Sequence, residues 1–461
     1  MRVPVLLVGA ALIAVVAGCS GSVGPSGGGS ATSSPAASTG ATPRPIAATA
    51  APGQAIAVPP ALLAVGQSGE ADLRIIESPR RDVAFHLPMG TPDAMWGHIF
   101  TTTPEGANTR LTNVIFGEGT GRQLMLEGRW HLPTIGDDPV PVGRSLDDST
   151  VVLVEDAGDA YANPSPGAVS RFALVRAAIP PSDGPLELIR TIELKGAFEF
   201  DALSPNGAIL YVIEHLSDGT PDHYQVRSVD VASGRMDDSV VVDKSTTDGA
   251  MAGQPITQLR RSDGLVLTLY RGAEHPFVHL LSTAEKWAIC IDLPANGADD
   301  KVGALDWGLT QAPNPENMYA VNASLGLVAE INRSDLSVTR TGRIDGPATP
   351  ASAAGEPAIV LAKFGHEPVG RTGRRAVVDP TGALILAGGR DGLVAIRTTD
   401  LSVAWRALAG EAVKSVAFMP DGRSAFVLLG SGRIVAVSTD DGSDHGSIFG
   451  EGYDRLVAIT G

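Results

Sequence analysis

From about residue 60 to its end the chain repeats one local grammar: a short run of Val, Ile, Leu and Thr, a cluster of Pro, Asp, Asn and Gly, then another short apolar run. The turn clusters include Ser204-Pro205-Asn206-Gly207, Ser262-Asp263-Gly264, Asp379-Pro380-Thr381-Gly382 and Met419-Pro420-Asp421-Gly422. Asn-Gly, Asp-Gly and Thr-Gly supply the positive φ that tight turns between antiparallel strands require. No amphipathic helix of about twelve residues or more interrupts the pattern. The expected fold class is all-β.

The grammar also has a period. Gly382 recurs as Gly422 and Asp400 as Asp440, each pair forty positions apart, and Asp335-Leu336-Ser337-Val338 is echoed by Asp400-Leu401-Ser402-Val403. A four-stranded unit recurring every forty residues or so points to a single β-propeller, because one small sheet cannot bury both of its faces until neighbours stack radially against it. Inner strands are expected near 141–146, 199–203, 256–260, 302–307, 375–378, 413–418 and 454–459. Seven blades is the expected count. Residues 94–132 hold a further three-strand unit without an evident inner strand, so eight is the alternative. The last inner strand has no blade after it and must pair with N-terminal strands at 62–66, 72–76 and 83–87, closing the ring.

The stretch from Phe200-Asp201-Ala202-Leu203-Ser204-Pro205-Asn206-Gly207 through Tyr211-Val212-Ile213 to Val229-Asp230-Val231-Ala232-Ser233-Gly234 resembles bacterial WD40-like and YVTN-type propeller repeats. So does Val416-Ala417-Phe418-Met419-Pro420-Asp421-Gly422-Arg423-Ser424-Ala425-Phe426-Val427. The resemblance covers most of 140–450 and implies a fold, not an activity. The Gly-His and Trp-Asp signatures of eukaryotic-type WD40 repeats are missing, so their partner-docking surfaces are not carried over.

The N-terminus reads as an address. After Arg2 an apolar run of about fifteen residues, the length of a secretory signal core and short for a spanning helix, ends in Val16-Ala17-Gly18-Cys19. That tetrapeptide resembles the bacterial lipobox, with Val16 where Leu is commonest, and implies a lipoprotein whose Cys19 is lipidated and becomes the mature N-terminus. Acyl chains such as palmitate contribute about 0.8 kcal/mol per buried methylene, so two or three hold a domain on a membrane. From 20 to 59 the chain is Ser, Gly, Ala, Thr and Pro with one charge, Arg44, a flexible tether with an r.m.s. reach of about 30 to 40 Å. The domain reading is therefore signal peptide 1–19, tether 20–59 and propeller 60–461. The expected location is extracytoplasmic, anchored to the bacterial cell membrane. With Cys19 acylated, Cys290 has no partner for an intrachain disulfide and reads as a small buried hydrophobe.

Charge narrows the partners. Asp and Glu number 51 against 35 Lys and Arg, with no basic run, which argues against nucleic acid. Walker loops, nucleophile elbows, His-Glu-x-x-His and Cys pairs are all missing, and no cofactor is implied. His275 and His279 lie on one strand face about 13 Å apart, too far for one metal. Asp440-Asp441-Gly442-Ser443-Asp444 lacks the ligand spacing of a calcium loop and reads as a solvated turn. The five tryptophans are scattered, as packing between blades would have them. The expected function is a noncatalytic binding or interaction scaffold, monomeric, with an envelope protein or glycan as ligand. The alternative is a propeller hydrolase or lactonase with an acid/base or metal site in the central funnel. The candidate surface is an acidic mouth formed by connectors between blades: Asp137, Asp138, Asp243, Asp248, Asp299, Asp300, Asp345, Glu367, Glu411 and Asp454, with Glu451 beside them, partly offset by Lys195, Lys244, Lys301, Lys363 and Arg371.

Overall fold

A computed structural model describes residues 61–460 apart from 68–71, 79–81, 94–97, 116–118, 137, 139–140, 156–166, 178–184, 217–222, 242–250, 273–274, 295–304, 315, 345–373, 420–421 and 450–451. The described residues form strands and turns, and no helix among them is long and apolar enough to cross a membrane. The signal, lipobox and tether lie outside the described residues.

Strand pairing is antiparallel throughout and falls into four-stranded meanders, here sheets I to VIII. Sheet I joins Ala61–Gln67, Asp72–Ser78 and Asp82–Pro88 to the C-terminal Tyr453–Thr460. Sheet II runs Thr91–Pro92, His98–Glu105, Asn108–Ile115, Gly119–Glu127, and sheet III Trp130–His131, Thr150–Glu155, Val169–Arg176, Glu187–Lys195. Sheet IV is Ala197–Leu203, Ile209–His215, His223–Asp230, Arg235–Val240, and sheet V is Met251–Arg260, Leu265–Gly272, Pro276–Ser282, Trp287–Asp292; the two are bridged through His223↔Ala252 and Tyr224↔Met251. Sheet VI is Trp307–Gln311, Asn317–Asn322, Leu327–Asn332, Ser337–Arg343. Sheet VII is Ala376–Val378, Leu384–Gly389, Gly392–Arg397, Val403–Ala407, and sheet VIII is Val413–Phe418, Ser424–Leu429, Ile434–Ser438, Asp444–Phe449.

Stacking between neighbours builds the core. Phe100 and Leu111 of sheet II pack with Val151, Leu153 and Ala173 of sheet III, and Phe172 and Leu174 of sheet III with Phe200 and Leu210 of sheet IV. The same alternation continues through Tyr211 with Val266, Leu267 with Trp307, Val321 with Ile385 and Leu386 with Val427. In the last step Phe426 of sheet VIII packs with Val65 and Leu456 of sheet I. Sheets III to VIII thus each pack against a neighbour on both sides, which a solitary four-stranded sheet in water cannot do. Polar ties reinforce the same contacts, among them Tyr211 Oη to Thr283 O at 2.8 Å and Trp405 Nε1 to Thr439 O at 2.9 Å.

The first strands converge. Thr91 Oγ1 donates within 3.0 Å to the carbonyls of Pro141 and Val142, Val378 N donates to Thr310 Oγ1 at 3.2 Å, Val416 N to Arg374 O at 3.0 Å, and Ser415 Oγ to Leu456 O at 3.3 Å. Inner strands expected at 199–203, 256–260, 375–378, 413–418 and 454–459 coincide with first strands of sheets IV, V, VII, VIII and with the C-terminal strand. Two expectations shift. The first strand of sheet III is Trp130–His131, and 141–146 only flanks Thr150–Glu155 through an isolated Arg144↔Val151 bridge. The first strand of sheet VI starts at Trp307, the residue at which the expected strand 302–307 ends. The unit that lacks an evident inner strand in the sequence has one of two residues, Thr91–Pro92.

The turn signatures act as read. Gly207, Gly264, Gly382 and Gly422 have φ of 69°, 86°, 80° and 67°, and each returns its N–H to the carbonyl three residues back. Leu336 and Leu401, equivalent members of the four-residue echo, share a positive φ of 48° and 57°, so the sequence repeat is a repeat of backbone conformation. At Gly207 a Cβ would also meet Thr150 Oγ1 of the neighbouring sheet at 2.3 Å. Gly207→Ala is expected to cost roughly 1 to 3 kcal/mol, read by urea unfolding, whereas Gly106→Ala, with open space around its Cβ, should bear the φ penalty alone and lose less.

Candidate binding site on the inner strands

The inner strand of sheet IV carries a charge into the interior. Between Phe200 and Ala202 the pairing with Ile209–His215 slips by one residue, and Asp201 is the residue of that bulge. A bulge re-aims its side chain; Asp201 is 1% exposed, on the side where the inner strand of sheet V also turns polar residues. Gln258 Nε2 donates to Asp201 O at 3.1 Å, to Asp201 Oδ1 at 3.3 Å and to Thr268 Oγ1 at 3.1 Å, and its Oε1 accepts from Arg260 Nε at 2.9 Å. Arg260 Nη1 donates to Arg144 O at 2.9 Å, and its guanidinium lies 5.5 Å from the centre of the Phe200 ring. Arg144 in turn pairs with Asp148.

Asp138 joins from sheet III. Its carboxylate accepts from Thr257 Oγ1 and, at 2.9 Å, from Gln258 N, so the connector before sheet III's second strand reaches past the neighbouring sheet IV to sheet V. Gly136 makes that approach possible: its φ is 50°, and a Cβ there would sit 2.4 Å from Ile256 O.

Burial sets the electrostatics. It pushes the Asp138 carboxyl up to about 6 against the opposing hydrogen bonds from Thr257 and Gln258 and the charges of Arg374 and Arg260. It pushes Asp201 up to about 7, with Arg260 pulling the other way and Glu199 adding to the rise. Arg260 is lowered to about 10 by the same desolvation and stays a cation at neutral pH. One guanidinium therefore faces two carboxyls that change charge between pH 5 and 8. Among the described residues, Asp201 Oδ2 and Arg260 Nη2 are buried and have no hydrogen-bond partner. One is an acceptor when ionised and the other a donor. Perturbed, incompletely satisfied groups gathered from separate strands mark a candidate site. Asp306 shows the contrast: Ser324, Arg375 and Arg390 hold it at 2.8, 3.1 and 3.2 Å, a network that ties sheet VI to sheet VII.

The acidic mouth is only partly described. Asp137, Asp243, Asp248, Asp299, Asp300, Asp345, Glu367 and Glu451 lie outside the described residues, as do Lys244, Lys301, Lys363 and Arg371. The other three stand apart from one another in their partners: Asp138 against sheet V, Glu411 with Arg433 Nη2 at 2.9 Å, and Asp454 beside Arg455 Nε at 3.7 Å, all half-buried. Lys195 is exposed at the end of a sheet III strand. No group of three or more His, Cys, Asp or Glu able to hold a metal occurs among the described residues. Sequence reasoning places Asp201, Gln258 and Arg260 on inner strands without singling them out. The available signal is an Asp inside the apolar run Phe200-Asp201-Ala202-Leu203.

An all-β chain whose four-stranded sheets stack in succession and whose first strands converge is of the β-propeller type. Solved propellers agree with it at the level of fold. The apo structure of AztD from Citrobacter koseri superposes with a TM-score of 0.53 at 11% identity, covering 87% of this chain and 98% of that one. A second structure of Citrobacter koseri AztD gives 0.50 at 10% identity over the same shares, 87% and 98%. The periplasmic gluconolactonase PpgL of Pseudomonas aeruginosa aligns over 79% of this chain and 97% of its own at 15% identity, with a TM-score of 0.40, too low to inform activity. No family model matches the sequence, and no curated protein does.

Proposed function

We propose that this chain is a membrane-tethered extracytoplasmic lipoprotein whose β-propeller binds a ligand without transforming it, at the inner-strand cluster of Asp138, Asp201, Gln258 and Arg260. On this reading the eight meanders are eight blades, and the pairing of Ala61–Gln67 with Tyr453–Thr460 closes the ring. The observation that carries the function is the open pair, Arg260 Nη2 and Asp201 Oδ2, within an otherwise connected network. A ligand offering an acceptor beside a hydroxyl or amide donor completes both. Sugars and peptide backbones have that pattern, so an envelope glycan or a protein loop is the ligand class. The acidic connectors extend the reading by drawing a cationic segment toward the mouth.

The hydrolase or lactonase alternative has one feature in its favour: carboxyls raised to about 6 and about 7 suit general acid–base work near neutrality. Calorimetry of the detergent-solubilised full chain against muropeptides and envelope oligosaccharides separates the two. The binding reading expects a saturable heat with the added saccharide recovered intact, and at least a tenfold loss of affinity in Arg260→Gln. Release of a hydrolysed product in the parent would establish the enzyme instead.

The anchor has its own test. Cys19→Ala is expected to move the protein from the detergent phase to the aqueous phase or to block its processing; unchanged partitioning removes the lipoprotein reading while leaving the propeller site intact.

A further inference from the structure

Sheet V assembles a second, chemically different group of side chains. Cys290 lies in its outer strand and is directly opposite His279 across the ladder. Cys290 Sγ is 3.4 Å from Met251 Sδ and 3.9 Å from His279 Nδ1. Three strands, Met251–Arg260, Pro276–Ser282 and Trp287–Asp292, thus present a thioether, an imidazole and a thiol to one point. The sequence expectation for Cys290 is a buried apolar filler. It does pack against a buried aromatic cluster, though only half-buried, and its thiol also lies beside two other metal donors.

One wall of the group is buried and aromatic. His279 is 2% exposed, and the edge of its ring meets Tyr270 at 6.2 Å. Tyr270 stacks on Tyr224 at 5.3 Å and on Phe277 at 5.1 Å. These aromatic rings share one buried cluster with Ile213, against which Met251 and Cys290 pack. Neutral thioether and imidazole with a thiolate form a soft donor set, which favours a monovalent soft ion over the hard divalent ions that carboxylate oxygens take. With bonds of about 2.3 Å to sulfur and about 2.0 Å to nitrogen, a three-coordinate ion keeps its donors roughly 3.5 to 4 Å apart. Of the two edges that meet at Cys290, the one to His279 at 3.9 Å lies in that range, and the one to Met251 at 3.4 Å is slightly shorter and has to open a little to admit the ion.

We propose that Met251, His279 and Cys290 form a binding site for Cu(I). On binding, the Cys290 S–H bond breaks, its proton leaves to solvent and the thiolate lone pair forms the metal–sulfur bond; nothing is oxidised or reduced. The single positive charge of Cu(I) is cancelled by the thiolate, so the loaded site is neutral and the aromatic wall buries no net charge. The site is independent of the Asp201–Arg260 cluster and of what binds there.

The test uses the full chain carrying Cys19→Ala, which leaves Cys290 as the sole thiol, since the sequence has two cysteines. Anaerobic titration against the Cu(I) chelator bicinchoninate should show one equivalent withdrawn per chain, with a near-ultraviolet thiolate-to-copper band. Cys290→Ser should weaken binding at least a hundredfold and abolish the band; Met251→Leu, which preserves volume and apolarity, should weaken it about tenfold at an unchanged melting temperature. In the unsubstituted site, one equivalent of Cu(I) should slow alkylation of Cys290 by iodoacetamide, a readout that needs no further variant. Failure of the chain to compete with the chelator, retention of parent affinity by Cys290→Ser, or alkylation unaffected by Cu(I) each overturns the proposal, and parent affinity in Met251→Leu removes the three-donor site.

Discussion

Deleting residues 452–461 is expected to lower the melting temperature by roughly 3 to 6 °C. The segment removed contains Tyr453–Thr460, the partner of Ala61–Gln67 along nearly the whole length of that strand, and the pairing links the two ends of the propeller region. Leu456 is 2% exposed among Val65, Ile76, Met419, Phe426 and Leu428, so its loss opens the cluster that joins sheets I and VIII. A fully buried Leu contributes roughly 1.5 to 3 kcal/mol, and the half-buried Tyr453 adds to it. Truncation also leaves Ala61–Gln67 as an unpaired edge, open to association with a second copy. The measurement is a thermal melt with light scattering on parent and truncation. A truncated chain that melts within a degree or two of the parent and stays monodisperse would show that the C-terminal strand is dispensable and that the ends are held by something else.

The pairing of Tyr453–Thr460 with Ala61–Gln67 was legible because each is a short apolar run that the forty-residue repeat leaves without a complete unit of its own. The repeat was legible because its signals are local. Gly207, Gly382 and Gly422 mark turns that the neighbouring residues alone dictate, and the shared backbone of Leu336 and Leu401 follows from an identical four-residue sequence. The first strands of sheets II and III were not legible. Thr91–Pro92 and Trp130–His131 are two residues long, too short to carry an alternation, and are strands only because a neighbour lies alongside. The inner-strand cluster was half legible. Asp201 stands out as a charge in an apolar run, but its meeting with Gln258, fifty-seven residues on, and that of Gln258 with Asp138 depend on neighbouring sheets facing one side and on a bulge. The sulfur site likewise depends on register: the ladder sets Cys290 opposite His279, and nothing within either strand's own sequence names Met251 as the third member.

The second large effect concerns the carboxyls of Asp201 and Asp138. Asp201 titrates at about 7 in the folded chain, above its ordinary value of 3.8, because burial disfavours its ionised form. A carboxyl raised in this way holds its proton more tightly folded than unfolded, so stability is greatest below the unfolded pKa and falls as pH rises through the folded one. A rise of that size corresponds to about 4 kcal/mol, lost progressively between about pH 4 and 7. Asp138, raised to about 6, adds a loss that is complete about one pH unit earlier. Asp201→Asn keeps an oxygen for Gln258 Nε2 and removes the ionisation. The parent should therefore lose stability steadily from pH 4 to 7, whereas the variant should follow only the Asp138 part, flatten between pH 6 and 7, and be the more stable of the two at pH 8. Urea unfolding at unit steps of pH reads both curves. Superimposable profiles would mean that Asp201 ionises as freely folded as unfolded, and the inner-strand cluster would then lose its claim to be a site held short of its full complement of partners.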